Sequence, residues 1–146
     1  MGSDDGTLYA LNSDGSVRWE LETGARVFST PAVAVDGMVY VGSHDTNVYA
    51  VDAQGSPVWT YATGDWVRSS PAVTSEGRVY VGSTRGVHAF DALSQSVDWL
   101  AETPAVRSPP AVLEDLLWAG TDEGVAALGA SDGDDRWRHA LDDPVV

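Results

Sequence analysis

The side chains that could do chemistry in this chain are three histidines, eight arginines and twenty-two carboxylates. Their spacing supports few reactions. Hydrolysis through a serine turn or a metal-binding helix would show as Gly-x-Ser-x-Gly or His-Glu-x-x-His, and neither occurs. No glycine-rich loop leads to a phosphate-holding lysine, because lysine is absent altogether. With no Cys, thiolate catalysis, disulfides and cysteine metal sites are excluded. His44 and His139 fall near the ends of expected strands and His88 within one, which reads as separate surface or packing roles rather than a metal site. Asp132-Gly133-Asp134-Asp135 opens like a calcium loop. An EF-hand starting there would need Gly where Trp137 stands and Glu where Asp143 stands, so the segment reads as a turn. Asp4-Asp5 and Asp142-Asp143 could attract cations only diffusely. No catalytic, cofactor-binding or metal-ligating residue is assigned.

Composition narrows the classes further. The chain of 146 residues is 43% hydrophobic with six Trp, enough for a packed core, so disorder is not expected. A net charge of −14 repels phosphate backbones and argues against nucleic-acid binding. No apolar run approaches the roughly 18 residues of a membrane span, and residues 1–15 are too polar for a signal peptide. All eight basic residues are Arg, Ile is missing, and Asp outnumbers Glu sixteen to six. That bias resembles proteins of extreme halophiles, whose carboxylate-rich surfaces stay hydrated in concentrated salt. An acidic surface serving solubility alone is the plainer alternative.

The elements that must position these groups follow a repeat. Val41-Gly42-Ser43 recurs as Val81-Gly82-Ser83 and, more loosely, as Ala119-Gly120-Thr121. Trp19, Trp59, Trp99 and Trp137 are spaced by about forty residues, as are Pro31, Pro71 and Pro110. Each unit reads as four short strands: in the second, Phe28–Val33, Met38–Val41, Asn47–Val51 and Val58–Tyr61, with turns at Asp36-Gly37 and Asp52–Gly55. No helical apolar period appears, so the chain is expected to be all-β. Four strands in about forty residues is the signature of a β-propeller blade. Blades bury their faces against one another, and the repeated Trp19, Trp59, Trp99 and Trp137 are expected to fill the space between them.

The unit resembles the PQQ-like repeat of quinoprotein-type β-propellers. The family's tryptophan-docking pattern, Ala-x-Asp-x-x-x-Gly-x-x-x-Trp, appears as Ala89-Phe90-Asp91 leading to Trp99, with Gln95 in the glycine's place. Ala127 leads likewise to Trp137, with Gly133 present but Gly129 replacing the acid. The copies from Ala10 to Trp19 and from Ala50 to Trp59 are one residue shorter. Arg68-Ser69-Ser70-Pro71-Ala72-Val73 is similar to the family's innermost strand. No Trp-Asp or Gly-His dipeptide marks the repeat as WD40.

The resemblance implies an open arc of about three and a half blades: 1–27 partial, 28–66 and 67–106 complete, and 107–146 leading into the next. Pro144-Val145-Val146 aligns with Pro104-Ala105-Val106, and a piece of a ring of about seven or eight blades is expected. An open arc leaves blade faces available to the remaining blades of the same propeller, to a protein partner or to self-association. The family's best-known activity, alcohol oxidation with PQQ and Ca²⁺ at the centre of a complete ring, finds no cysteine pair here and no acid matched to a catalytic motif. A non-catalytic interaction or ligand-binding scaffold of the cell envelope is the expectation, and part of a quinoprotein dehydrogenase the alternative. Arg68 and Arg107 stand three residues before Pro71 and Pro110, with Phe28 in the first copy; the resemblance places that stretch at the central channel, where they would meet anions or brace the blades. Trp66 and Asp65 break the repeat on a loop and are candidate contacts. Trp118, near the Tyr40 and Tyr80 places, reads as core.

Overall fold

A computed structural model describes residues 1–143 and 145, and every regular element among them is a strand. β1 (Thr7–Leu11) and β2 (Val17–Glu22) form a two-stranded sheet. Three four-stranded antiparallel sheets follow in simple meander order. The first holds β3 (Ala32–Val33), β4 (Val39–Gly42), β5 (Asn47–Val51) and β6 (Pro57–Ala62). The second holds β7 (Ala72–Val73), β8 (Arg78–Ser83), β9 (Gly86–Asp91) and β10 (Ser96–Glu102). The third holds β11 (Ala111–Leu113), β12 (Leu116–Thr121), β13 (Gly124–Gly129) and β14 (Asp135–Ala140). The result is three blades and an outer strand pair, as the repeat requires.

The innermost strands are shorter than their sequence suggests. The strand expected over Phe28–Val33 is reduced to Ala32–Val33. Pro31 has no N–H for a ladder, and Ser29 supplies a substitute: its hydroxyl donates to the Gly42 carbonyl at 2.9 Å and accepts the Gly42 N–H at 2.8 Å. A side chain thus does the work of a backbone pair, which frees the preceding residues to run as loop.

Turn chemistry explains much of the aspartate excess. Asp5, Asp14, Asp36, Asp45, Asp52, Asp91 and Asp132 each accept a backbone N–H two residues on. Glutamate, one methylene longer, does not close this ring. Asp132 also accepts from Arg136 at 2.8 Å, so Asp132–Asp135 is a turn.

Successive blades interlock at two repeated contacts. One is a valine set against a glycine: Val27 on Gly2, Val67 on Gly42, Val106 on Gly82 and Val145 on Gly120, each so close that a Cβ on the glycine would meet the valine at 2.5 Å or less. Val145 therefore takes Val106's place, one residue earlier than the sequence alignment put it; Pro144 and Val146 lie outside the described residues. The other is the tryptophan. Trp19, Trp59, Trp99 and Trp137 all pair with an alanine of the neighbouring strand in one register: Ala10, Ala50, Ala89 and Ala127. Trp19 covers Gly55 of the next blade and donates to the Ala53 carbonyl at 3.1 Å. Trp59 packs on Phe90 at 5.3 Å between centroids, and Trp99 covers Gly133. The turn residue at this repeat place is left-handed: Gly55 and Gly133, beneath Trp19 and Trp99, reach positive φ freely, whereas Gln95 at the equivalent position holds φ 56° despite its side chain. Trp137 keeps the register but is 47% exposed, so it does not fill an interblade space among the described residues.

Candidate functional site

The loops that carry each blade's β6-type strand into the next blade position the candidate contacts. Both arginines sit in these loops, before β7 and β11, rather than on a channel-lining strand as the resemblance implied. The structure then treats them differently. Arg107 grips Asp122 with two bonds of 2.8 Å each, Nε to Oδ1 and a terminal nitrogen to Oδ2. Asp122 follows β12, so this pair braces a single blade. The Arg107 guanidinium holds the Asp122 carboxyl below the usual carboxylate range.

Arg68 has no carboxylate within ion-pair distance among the described residues. Its Nε donates to His44 Nε2 at 3.2 Å, reaching back to the blade before it. An Nε2 that accepts means a neutral ring protonated on Nδ1. Burial, and then the positive charges of Arg68 and Arg26, push the His44 pKa down, against a smaller pull from Asp4. His44 lies between two exposed aromatic rings: Phe28 at 4.8 Å and 29°, and Trp66 at 5.1 Å and 5°. The Arg68 guanidinium carbon is 5.3 Å from the Trp66 ring and 5.9 Å from Phe28, within cation–π range of both. Trp66 and Phe28 remain 50% and 53% exposed.

This three-ring ladder with a guanidinium beside it spans two blades. Flat aromatics already held by stacking lose little entropy on contact, and the guanidinium offers planar donors. Of the four residues singled out from sequence, Trp66 and Arg68 come together here. Asp65 does not join them: it accepts the Trp66 N–H at 2.7 Å and sets the loop. Arg107 is committed elsewhere. Sequence reasoning left out His44 as a contact. His44, Thr84 and Asp122 each follow the repeated Gly-Ser or Gly-Thr, but that register does not report the contact of His44 with Trp66 and Arg68, which reach it from the loop before the next blade.

The other histidines are apart from this cluster. His88 is fully buried on β9, its Nε2 2.9 Å from the Ser83 hydroxyl, and burial, with a smaller push from Arg85, lowers its pKa to about 4. His139 lies on β14. Trp118 stands opposite Ala111 as Tyr40 stands opposite Ala32 and Tyr80 opposite Ala72, but it is only half-buried. Among the described residues no helix is long and apolar enough to cross a membrane.

Comparison with known proteins agrees with this architecture. The structure of BamB from Moraxella catarrhalis superposes with a TM-score of 0.79 at 25% identity, over 92% of this chain and 42% of that one. The chain thus spans less than half the length of that relative. No curated protein sequence matches it. The family model described as outer membrane protein assembly factor BamB matches residues 4–145, and the chain belongs to that PQQ-repeat family.

Proposed function

We propose that this chain is a non-catalytic propeller module that binds a protein partner in the cell envelope, with Phe28, His44, Trp66 and Arg68 as its contact site. One observation carries the reading: an arginine without an acidic partner among the described residues is held among exposed, stacked aromatics in a chain of net charge −14. The extracytoplasmic setting rests on what the family is named for, outer membrane protein assembly. A photo-crosslinking amino acid at Trp66, introduced in the source cells, should yield a discrete adduct that Arg68→Ala removes. The same probe at Val35, which is fully exposed away from the cluster, should yield none. Equal adducts at both positions would sink the reading.

The Asp132–Asp135 turn does not fit a calcium loop. Among the described residues no three His, Asp or Glu side chains converge, and Asp132 is held by Asp134 and Arg136. A gain of quinone absorbance and of dye-linked alcohol oxidation on adding PQQ and Ca²⁺ would favour the dehydrogenase reading instead. The proposal also includes adaptation to concentrated salt, which rests on the Asp-rich, Lys-free composition. Thermal melting should shift downward when molar NaCl is removed, and an unchanged midpoint would refute salt adaptation.

A further inference from the structure

At the other end of β4 from His44, a cavity of about 230 Å³ opens between the first two four-stranded sheets. At the ~30 Å³ that a water takes in the liquid, it has room for about eight heavy atoms. Its walls come from the β3–β4 and β7–β8 turns and from Ala92 and Leu93 after β9. Tyr40 also lines it and is 1% exposed. The junction between the second and third sheets gives the comparison. There Tyr80, at Tyr40's place in the repeat, donates its hydroxyl to the Ala130 carbonyl at 2.9 Å. Ala92 holds Ala130's place and docks its N–H in the same way, Ala92 on Gly77 and Ala130 on Asp115, at 3.0 Å in each. Yet the Tyr40 hydroxyl is not joined to the Ala92 carbonyl and has no hydrogen-bond partner among the described residues. A buried phenol ordinarily finds one.

The two gaps also differ in charge. The gap beside Tyr80 contains a cation of the chain itself: Arg78, held by Asp98 at 2.7 Å, stands there with Glu76, Glu114 and Asp115. In the first gap Met38 has Arg78's place in the repeat. Asp36 and Glu76 line that gap with no arginine within ion-pair distance among the described residues. Each spends one oxygen within its own turn, Asp36 on the Met38 N–H and Glu76 on the Ser75 hydroxyl, and keeps the other. Val35 and Leu93, 99% and 85% exposed, add apolar surface to the same walls.

We propose that this cavity binds a small organic ammonium ion with an apolar body. An ammonium group carries donors and no acceptor, which suits the Ala92 carbonyl, the Tyr40 oxygen and the carboxylates of Asp36 and Glu76. The apolar body rests against Val35, Val73 and Leu93. The second gap is the internal precedent, since the same kind of site there is served by Arg78 from within the chain. A carboxylate ligand would meet two like charges, and a neutral one would leave both acids without a counter-charge.

Benzylammonium is the probe, with benzyl alcohol and benzoate as controls of nearly the same shape. Titrated into the full chain with carbon-13-labelled methyl groups, benzylammonium should move the Val35, Val73 and Leu93 resonances with a millimolar dissociation constant, as its size allows. Benzyl alcohol should bind about twofold or more weaker, and benzoate should move none of them. Tyr40→Phe should weaken benzylammonium by about two- to tenfold, the worth of one hydrogen bond. Asp36→Asn with Glu76→Gln should abolish the preference over the alcohol. Asparagine keeps an oxygen for the Met38 N–H and phenylalanine keeps the ring, so circular dichroism should stay native in both variants. Methyl shifts confined to other residues, or a preference that survives in the double variant, would overturn the proposal. So would benzoate binding as tightly as benzylammonium. No shift at about 20 mM benzylammonium would leave water as the occupant and overturn it equally.

Discussion

Arg68 and Arg107 occupy the same place in successive repeats, three residues before a proline, and have opposite fates. Arg107 closes on Asp122 with two parallel bonds and offers little more to a partner. Arg68 meets His44 instead, keeps a single bond to it, and lies against Trp66 and Phe28. The backbone frame is shared: Val67 and Val106 dock on Gly42 and Gly82 alike. The place that Asp122 holds in the blade of Arg107 is held by Thr84 in the blade of Arg68. An aspartate there turns the arginine into a brace; without it Arg68 reaches back to the neutral imidazole of His44 and stays a surface cation. A propeller thus keeps its repeat for stability and diversifies one facing position for recognition.

If the frame is common to both loops, the largest effects should come from breaking it. Trp59→Ala removes a ring packed on Tyr40 and Phe90, and should cost about 3–5 kcal/mol, as core aromatic truncations do. Urea unfolding would show it, and a loss below about 1 kcal/mol would mean the blades do not depend on the ring.

Acid should weaken the frame next. Folded His88 stays neutral down to about pH 4, while an unfolded histidine takes its proton near 6.5. Its contribution is therefore complete above pH 6.5 and fades as pH falls toward 4, by about 3 kcal/mol in all. His88→Gln, which can keep a bond to Ser83, should flatten that slope. In the loop, His44 is also held below its ordinary value, so Arg68 keeps its acceptor over part of the same range.

The sequence made the frame readable because its determinants are local. Trp, Gly and Pro at fixed spacing report a register, and Asp52, Asp91 and Asp132 report turns, without any distant contact. The contact site was half legible. Trp66 stood out because Arg26 and Ala105 hold the equivalent places, and Arg68 because Arg107 shares its position. His44 was hidden, since its partners Phe28, Trp66 and Arg68 come from two different loops and meet only when blades stack. The same dependence on stacking explains Trp137, whose register was evident and whose exposure was not.

Removing the brace should have a small effect. Arg107→Ala breaks an exposed pair and should change stability by about 0.5 kcal/mol or less, measurable by paired urea melts. A loss above about 2 kcal/mol would make Arg107 part of the frame and dissolve the contrast with Arg68.

The finest test puts a carboxylate within reach of Arg68. His44→Asp does so from the preceding blade rather than from the repeat place of Asp122, which Thr84 holds. Arg68 should then pair bidentately with it and leave the Trp66 face, because a charge-assisted fork outweighs one neutral bond plus a cation–π contact at the surface. The ladder loses its middle ring, so Phe28 and Trp66 no longer stack through it. Stability should barely move, within about 0.5 kcal/mol, since every group involved is partly solvated. The readouts are local: the Arg68 Nε–H resonance should shift toward that of Arg107, Trp66 fluorescence should change, and the crosslink from position 66 should disappear. Arg68→Ala should match it in the crosslink but show no new guanidinium signal. If His44→Asp leaves the crosslink intact, the acceptor that Arg68 meets does not set its part in recognition, and the exposed Phe28 and Trp66 rings alone would carry it.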